Sequence, residues 1–178
     1  MRSPRTTKEI QSLAGRVAAL SRFVSKCTDR CHPFFQAIKR AKGQQWDEDC
    51  EAAFQNLKNY LASPPILAKP HPGDNLLMYL AVSTTAVSSV LIREEEGGMQ
   101  KPVYYTSKAL TEVEKRYPKQ KQLALALVMS SRKLRPYFQA HTVSVVTSFP
   151  LRQILHKLES SGRLMKWCME LSEFEIHY

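Results

Sequence analysis

Three residues that could bind a metal ion lie close together near the N-terminus, at Cys27, Cys31 and His32. Structural zinc sites hold the ion with four Cys or His side chains in a regular spacing. Only three candidate ligands cluster here, their spacing is not that of a standard zinc finger, and the next histidine is His71. The pattern therefore favours cysteines that pack near a helix end, and we predict no metal site.

Positive charge is the stronger chemical signal, because it is unevenly placed. The chain has a formal net charge of +10, of which residues 1–45 hold +8, with ten Lys and Arg against two acids. A strongly basic segment beside a nearly neutral one indicates a surface that faces a polyanion such as nucleic acid, although a merely solvated basic face is the simpler alternative. The side chains of this segment that we predict to contact phosphates are Lys8, Arg16, Arg22 and Lys26.

A second basic patch, formed by Arg132, Lys133 and Arg135, stands beside two aromatic residues, Tyr137 and Phe138. Cations next to aromatic rings suit phosphate contact and base stacking. A helix C-terminus also attracts cations through its dipole, and aromatic rings near it can belong to the core. The sequence alone leaves both interpretations open.

Composition excludes several classes of protein. No apolar run approaches the roughly 18 residues that span a membrane, and no apolar stretch follows the N-terminus as in a secretory signal. Four scattered cysteines are too few for a disulfide framework. With 43% hydrophobic residues, the chain has the material for a packed core. We therefore expect an intracellular protein, in the cytoplasm or nucleus, without a membrane partner.

Hydrophobic periodicity divides the chain into a helical part and a mixed part. Steps of three and four residues predict helices over 7–26, 32–42 and 47–61, the first of them capped by Thr7. The later predicted elements are strands at 76–82, 86–93 and 103–106, a helix at 118–134, a strand at 143–147, helices at 150–158 and 162–171, and a last strand from 174. This order predicts an α+β fold, in which a small helical segment precedes a mixed five-stranded sheet.

Several motifs closely resemble the junction between thumb and RNase H in the Pol polyproteins of gypsy-type LTR retrotransposons. The longest starts with Trp46-x3-Cys50-x2-Ala53-Phe54, and others lie at 8–16, 102–117, 132–138 and 167–178. The Tyr-x-Asp-Asp signature of a polymerase palm is absent from the sequence. The resemblance implies an RNase H-like sheet and three parts, namely a thumb-like helical segment at 1–45, a linker helix and Pro-rich connection at 46–73, and a C-terminally truncated RNase H-like domain at 74–178.

The same resemblance implies where catalytic residues would stand. RNase H cleavage uses two Mg²⁺ ions, which carboxylates must hold. The family positions for these carboxylates fall on Ala81 in the first strand, Leu123 in the long helix and Ser148 after the fourth strand. Residues 75–93 and 115–158 contain no Asp or Glu, so a small error of alignment does not restore a carboxylate. We therefore expect no nuclease activity, no catalytic residues and no cofactor; Mg²⁺ is expected only if an active site were present.

The resemblance to a degenerate RNase H-like domain favours a connection role. The expected partners are an RNA/DNA hybrid or a DNA duplex, bound through the basic N-terminal segment, together with the remaining domains of a Pol polyprotein. Two alternatives stay open. One is an active ribonuclease H that cuts the RNA of RNA/DNA hybrids, and the other is a host-recruited interaction module or a non-functional relic.

Overall fold

Helices build the N-terminal part of the chain, and their first turns explain where they begin. The computed structural model describes residues 2–39, 46–156 and 162–178. Thr6 caps the first helix, because its hydroxyl accepts the Glu9 N–H at 3.2 Å and the Glu9 carboxylate accepts the Thr6 N–H at 3.2 Å. The helices of this part are α1 (Thr7–Ala19), α2 (Cys27–Arg30), α3 (His32–Lys39) and α4 (Glu48–Ala62).

The prediction of one helix over 7–26 is wrong for residues 20–26, because the helix ends at Ala19. Its cap is Thr6, where Thr7 was predicted. The chain leaves the helix after Ala19, forms a 3₁₀ turn at Ser21–Phe23 and reaches φ = 49° at Lys26. The apolar periodicity continues through the break because Val24 is buried in the same core as α1. Periodicity alone therefore did not distinguish one long helix from a helix and a turn that return to a shared core.

One hydrophobic cluster joins the helices of the N-terminal part. The side chains at its centre are those of Ile10, Leu13, Val17, Phe34, Phe54 and Leu57. The predicted linker, residues 46–73, therefore begins with a helix that is packed and not free, because the apolar stripe of α4 meets α3. The last three residues of the helix predicted at 32–42 lie outside the described residues.

The sheet confirms the predicted α+β fold with five strands. Its order is β3-β2-β1-β4-β5, and β1 pairs antiparallel with β2 but parallel with β4. The third strand is longer than the predicted 103–106, because it pairs along the whole second strand. The strands are β1 (Leu76–Val82), β2 (Ala86–Glu94), β3 (Gln100–Ala109), β4 (Val143–Val146) and β5 (Ile176–His177).

The remaining described helices are α5 (Glu112–Lys115), α6 (Lys119–Lys133), α7 (Arg135–Ala140), α8 (Leu151–His156) and α9 (Gly162–Leu171). α6 packs across β1 and β2 and is buried on most of its surface. The sequence did not predict α7, which follows α6 directly and has Pro136 in its first turn, where the missing N–H costs nothing. The last two residues of the helix predicted at 150–158 lie outside the described residues. No described helix is long and apolar enough to cross a membrane.

Asp29 attaches the helical part to the sheet. One oxygen of its carboxylate accepts the Ser83 hydroxyl at 2.7 Å and the Thr85 hydroxyl at 2.8 Å, both in the turn between β1 and β2. Beside it, the Thr28 hydroxyl and N–H donate to Ser107 Oγ of β3 at 2.8 and 3.0 Å. The short helix α2 therefore presents adjacent polar residues to two neighbouring parts of the sheet.

We predict that Asp29→Ala lowers the free energy of unfolding by about 1–3 kcal/mol, because two hydrogen bonds to a charged acceptor are lost. Urea denaturation measures the change. In the Ser83→Ala/Thr85→Ala background, which lacks both donors, the same substitution should cost much less. Equal costs in the two backgrounds would show that the carboxylate does not act through these hydroxyls.

Candidate nucleic-acid interface

Two of the three family carboxylate positions come near the ends of two neighbouring parallel strands. The paired register of β1 and β4 runs as far as Tyr79 opposite Val146. Ala81 lies two residues further along β1, and Ser148 lies two residues after Val146, in the bend that follows β4. Ser148 is exposed to solvent. Leu123 lies in α6, is 5% exposed and belongs to the main hydrophobic core. The position expected for a catalytic Glu is thus filled by a core side chain.

These residues do not fit Mg²⁺, which binds to oxygen ligands and above all to carboxylates. A methyl group, an isobutyl group and one hydroxyl supply at most a single weak ligand. Across the described residues, no three His, Cys, Asp or Glu side chains are grouped closely enough to hold a metal ion.

The acids nearest these positions in the sequence have structural partners. The Asp74 carboxylate accepts the His71 N–H at 2.7 Å, which together with Arg93 lowers the pKa of Asp74. Burial acts to raise the pKa of Glu114, but hydrogen bonds from Lys108 and from the Thr111 N–H outweigh it and lower the pKa overall. Both side chains therefore act as turn and cap residues.

Cys27 and Cys31 are adjacent and buried near the end of a short helix. A hydrogen bond between the two thiols lowers the pKa of Cys27 and raises that of Cys31, which burial raises further. The ring Nε2 of His32 lies 3.2 Å from Gln36 Nε2. The cysteines pack into the helical core together with Cys50.

The predicted phosphate contacts of the N-terminal segment are all exposed. Lys8 and Arg16 lie on α1, outside the stripe that Ile10, Leu13 and Val17 bury. Lys26 stands at the start of α2. Arg22, in the 3₁₀ turn, is held over an aromatic ring of the sheet, since its guanidinium carbon lies 5.1 Å from the ring centroid of Tyr104.

Tyr104 brings the two predicted basic patches together. Lys133, at the end of α6, places its Nζ atom 5.9 Å from the same ring. Cations over an aromatic face are attracted by the ring quadrupole, which holds both side chains near one point. Tyr104 was not among the contact residues predicted from the sequence. The signal available was the Tyr104-Tyr105 pair in a strand, because alternation directs two consecutive tyrosines to opposite faces of the sheet.

Arg132 and Arg135 have acidic partners that the sequence did not reveal. Arg132 donates two hydrogen bonds to the Glu170 carboxylate, at 2.6 and 2.8 Å, and Arg135 donates one to Glu173 at 3.0 Å. The guanidinium of Arg135 also lies 5.5 Å from the ring centroid of Phe174. Both arginines therefore hold the end of the chain against α6 and α7, and their charge is partly neutralised. Their predicted contact with nucleic acid stays a prediction.

Comparison with known proteins places the chain among retroelement proteins. The sequence model of the RNase H-like domain found in reverse transcriptase matches residues 46–145, more than half of the chain. The Tf2-3 and Tf2-4 transposon polyproteins of Schizosaccharomyces pombe are each 24% identical over 184 aligned residues, which cover 99% of this chain. The chain spans 14% of the length of these curated relatives.

Solved structures with the same fold come from foamy virus. The foamy viral protease-reverse transcriptase in complex with dsDNA is similar with a TM-score of 0.81 and 22% identity, over 100% of this chain and 39% of that chain. The complex of the foamy viral enzyme with an RNA/DNA hybrid is similar with a TM-score of 0.77 and 20% identity, over 98% of this chain and 25% of that chain. At this level of identity the likeness shows the fold.

We predict that Glu170→Gln lowers the free energy of unfolding at neutral pH by about 0.5 kcal/mol, a small effect because the ion pair is half exposed. Hydrogen bonds from Arg132 lower the pKa of Glu170 in the folded protein. In the unfolded chain the pKa of a Glu is about 4.3. The stabilisation is therefore complete above about pH 5 and is lost as the pH falls through the lower pKa of the folded protein. Urea denaturation at pH 7, 5 and 3 measures it.

The matched control for this experiment is Glu96→Gln, at an exposed acid in the turn between β2 and β3. This variant should follow the wild type at every pH. A difference between wild type and Glu170→Gln that is as large at pH 3 as at pH 7 would contradict the pairing.

Proposed function

Because this chain belongs to the family of RNase H-like domains found in reverse transcriptases, we propose that it is a non-catalytic, connection-type domain that binds duplex nucleic acid. Membership of the family confirms the resemblance to retrotransposon polyproteins that the motifs from Trp46 onward indicated. The proposed ligands are RNA/DNA hybrid and DNA duplex, and the proposed setting is inside the cell beside the other domains of a Pol polyprotein.

The convergence of Arg22 and Lys133 on Tyr104 is the observation that carries this proposal. One cation comes from the helical part and the other from the RNase H-like part, so the two basic patches meet at this ring. A duplex presents phosphates at short, regular intervals, and cations held at fixed positions gain affinity by releasing its counterions. The contacts of Asp29 fix the two parts relative to each other.

The fold neighbours support the choice of ligand. Foamy viral reverse transcriptases with this fold have been solved on double-stranded DNA and on an RNA/DNA hybrid. Binding through backbone phosphates does not read base sequence, so we expect affinity that is independent of sequence and strongly dependent on salt.

The residues at Ala81, Leu123 and Ser148 support a domain without nuclease activity, because they leave no carboxylates to hold two metal ions. We propose that binding needs no cofactor. The rival function is an active ribonuclease H on RNA/DNA hybrids, which membership of the family favours and the missing carboxylates oppose.

We predict that Arg22→Gln/Lys133→Gln weakens binding and reduces its dependence on salt. Each lost phosphate contact reduces the slope of log K against log salt by about 0.9, so the double variant should lose up to roughly 2. Fluorescence anisotropy on labelled 20-bp duplexes, titrated between about 50 and 200 mM KCl, measures the slope.

The matched control for binding is Lys69→Gln/Lys166→Gln, which removes the same charge from other exposed positions. It should change the slope much less than Arg22→Gln/Lys133→Gln. If the wild type does not bind duplex at the lowest salt, or if the two double variants behave alike, the proposed surface is wrong.

We also predict that the wild-type chain leaves an RNA/DNA hybrid uncut with either Mg²⁺ or Mn²⁺, because neither ion finds a set of carboxylate ligands. Denaturing gel electrophoresis of a hybrid with labelled RNA measures cleavage, with an active ribonuclease H as the positive control. Cleavage that co-purifies with the chain through successive columns would establish the rival function.

A further inference from the structure

A second group of cations surrounds aromatic rings at the other end of α6. The Lys121 Nζ atom lies 4.4 Å from the ring centroid of Tyr117, and the Arg163 guanidinium carbon lies 5.9 Å from it. Arg163 also donates a hydrogen bond to the Tyr117 hydroxyl. Next to them, the Lys119 Nζ atom lies 5.9 Å from the ring centroid of Phe149. These five residues form what we call the Tyr117 surface.

The Tyr117 surface consists of three cations and two aromatic rings, with no acid among its five residues. Lys119 and Arg163 are exposed, and Arg116 adds a further exposed cation next to Tyr117 in the sequence. The acids of α5, which precedes it, are engaged elsewhere, since Glu112 pairs with Lys115 at 2.7 Å and Glu114 with Lys108 at 2.6 Å. None of these cations was among the contact residues predicted from the sequence.

The location of these cations relates them to the missing chemistry. Lys119 stands one helical turn before Leu123, and Phe149 directly follows Ser148. Both neighbours occupy positions where the family resemblance places carboxylates that would hold Mg²⁺. A bound metal ion there would neutralise a backbone phosphate. This chain instead places the Lys119 ammonium group 5.9 Å from the ring centroid of Phe149, the residue next to Ser148.

We propose that the Tyr117 surface is a second phosphate-binding site for duplex nucleic acid, in which Lys119 and Arg163 supply the positive charge. The inference rests on the proposed function and extends it to an additional site. Arg163 suits this role, because a guanidinium presents several donors in a plane that matches phosphate geometry. The rings of Tyr117 and Phe149 restrict where the cations lie before a duplex arrives, which reduces the entropy lost on binding.

One duplex is long enough to contact both sites. Lys119 and Lys133 are fourteen residues apart on one helix, which corresponds to about 21 Å along its axis. A turn of B-form duplex rises roughly 34 Å, so both sites fall within a single turn. α6 connects the two sites rigidly, because it is a continuous helix buried against the sheet.

The test uses the full chain and the same labelled 20-bp duplexes. Lys119→Gln/Arg163→Gln should reduce the slope of log K against log salt by about 1.8. Between roughly 50 and 200 mM KCl, the loss of affinity of this variant should therefore be about 12 times smaller than that of the wild type. Lys119→Arg/Arg163→Lys keeps both charges and should retain most of the slope. The matched control here is Lys69→Gln/Lys101→Gln, because Lys166 lies one helical turn from Arg163 on α9. Thermal unfolding identifies any variant that fails to fold.

The outcomes separate this inference from the proposed function. A wild-type chain that does not bind duplex overturns both. If the wild type binds, Arg22→Gln/Lys133→Gln reduces the slope and Lys119→Gln/Arg163→Gln behaves like the control, the Tyr117 surface is not a phosphate site and the proposed function stands. The second site is supported if Lys119→Gln/Arg163→Gln reduces the slope and Lys119→Arg/Arg163→Lys retains most of the wild-type slope.

Discussion

The contact between Asp29 and the turn after β1 is the constraint on which the proposed binding surface depends. Its carboxylate accepts hydroxyls from Ser83 and Thr85 and so fixes a small helical cluster against a sheet that has its own core. This contact positions the 3₁₀ turn next to β3, which brings Arg22 to Tyr104. Without a fixed orientation, the basic N-terminal segment and α6 would present two separate patches.

The sequence predicted helices and strands well where each depends only on residues close together in the chain. The strand Leu76–Val82 appears as predicted, and the helix predicted at 118–134 differs by one residue at each end, since both patterns depend on neighbours in the sequence. Contacts between distant residues were beyond such patterns. The Arg132–Glu170 pair joins residues 38 positions apart, and the approach of Arg22 to the sheet depends on a helix that ends earlier than its periodicity indicated.

The substitutions at the family carboxylate positions are physically coupled. Two carboxylates on adjacent parallel strands repel each other unless a metal ion lies between them, so losing one ligand makes the others unfavourable. A carboxylate at position 123, buried in the core and without an ion, would cost several kcal/mol by the usual penalty for burying a charge. Leucine at this position instead adds apolar contact between α6 and the sheet.

Without metal ions, a phosphate contact near these positions needs another source of positive charge. In an active site of this kind the carboxylates hold the metal ions, and the metal ions attract the backbone phosphate. Once both are missing, a duplex near Ala81 and Ser148 finds only neutral groups, unless nearby side chains provide positive charge. Lys119 and Arg163 occupy suitable positions, and aromatic neighbours orient them. In the proposed function, Lys119 and Arg163 therefore contact the duplex backbone without metal ions.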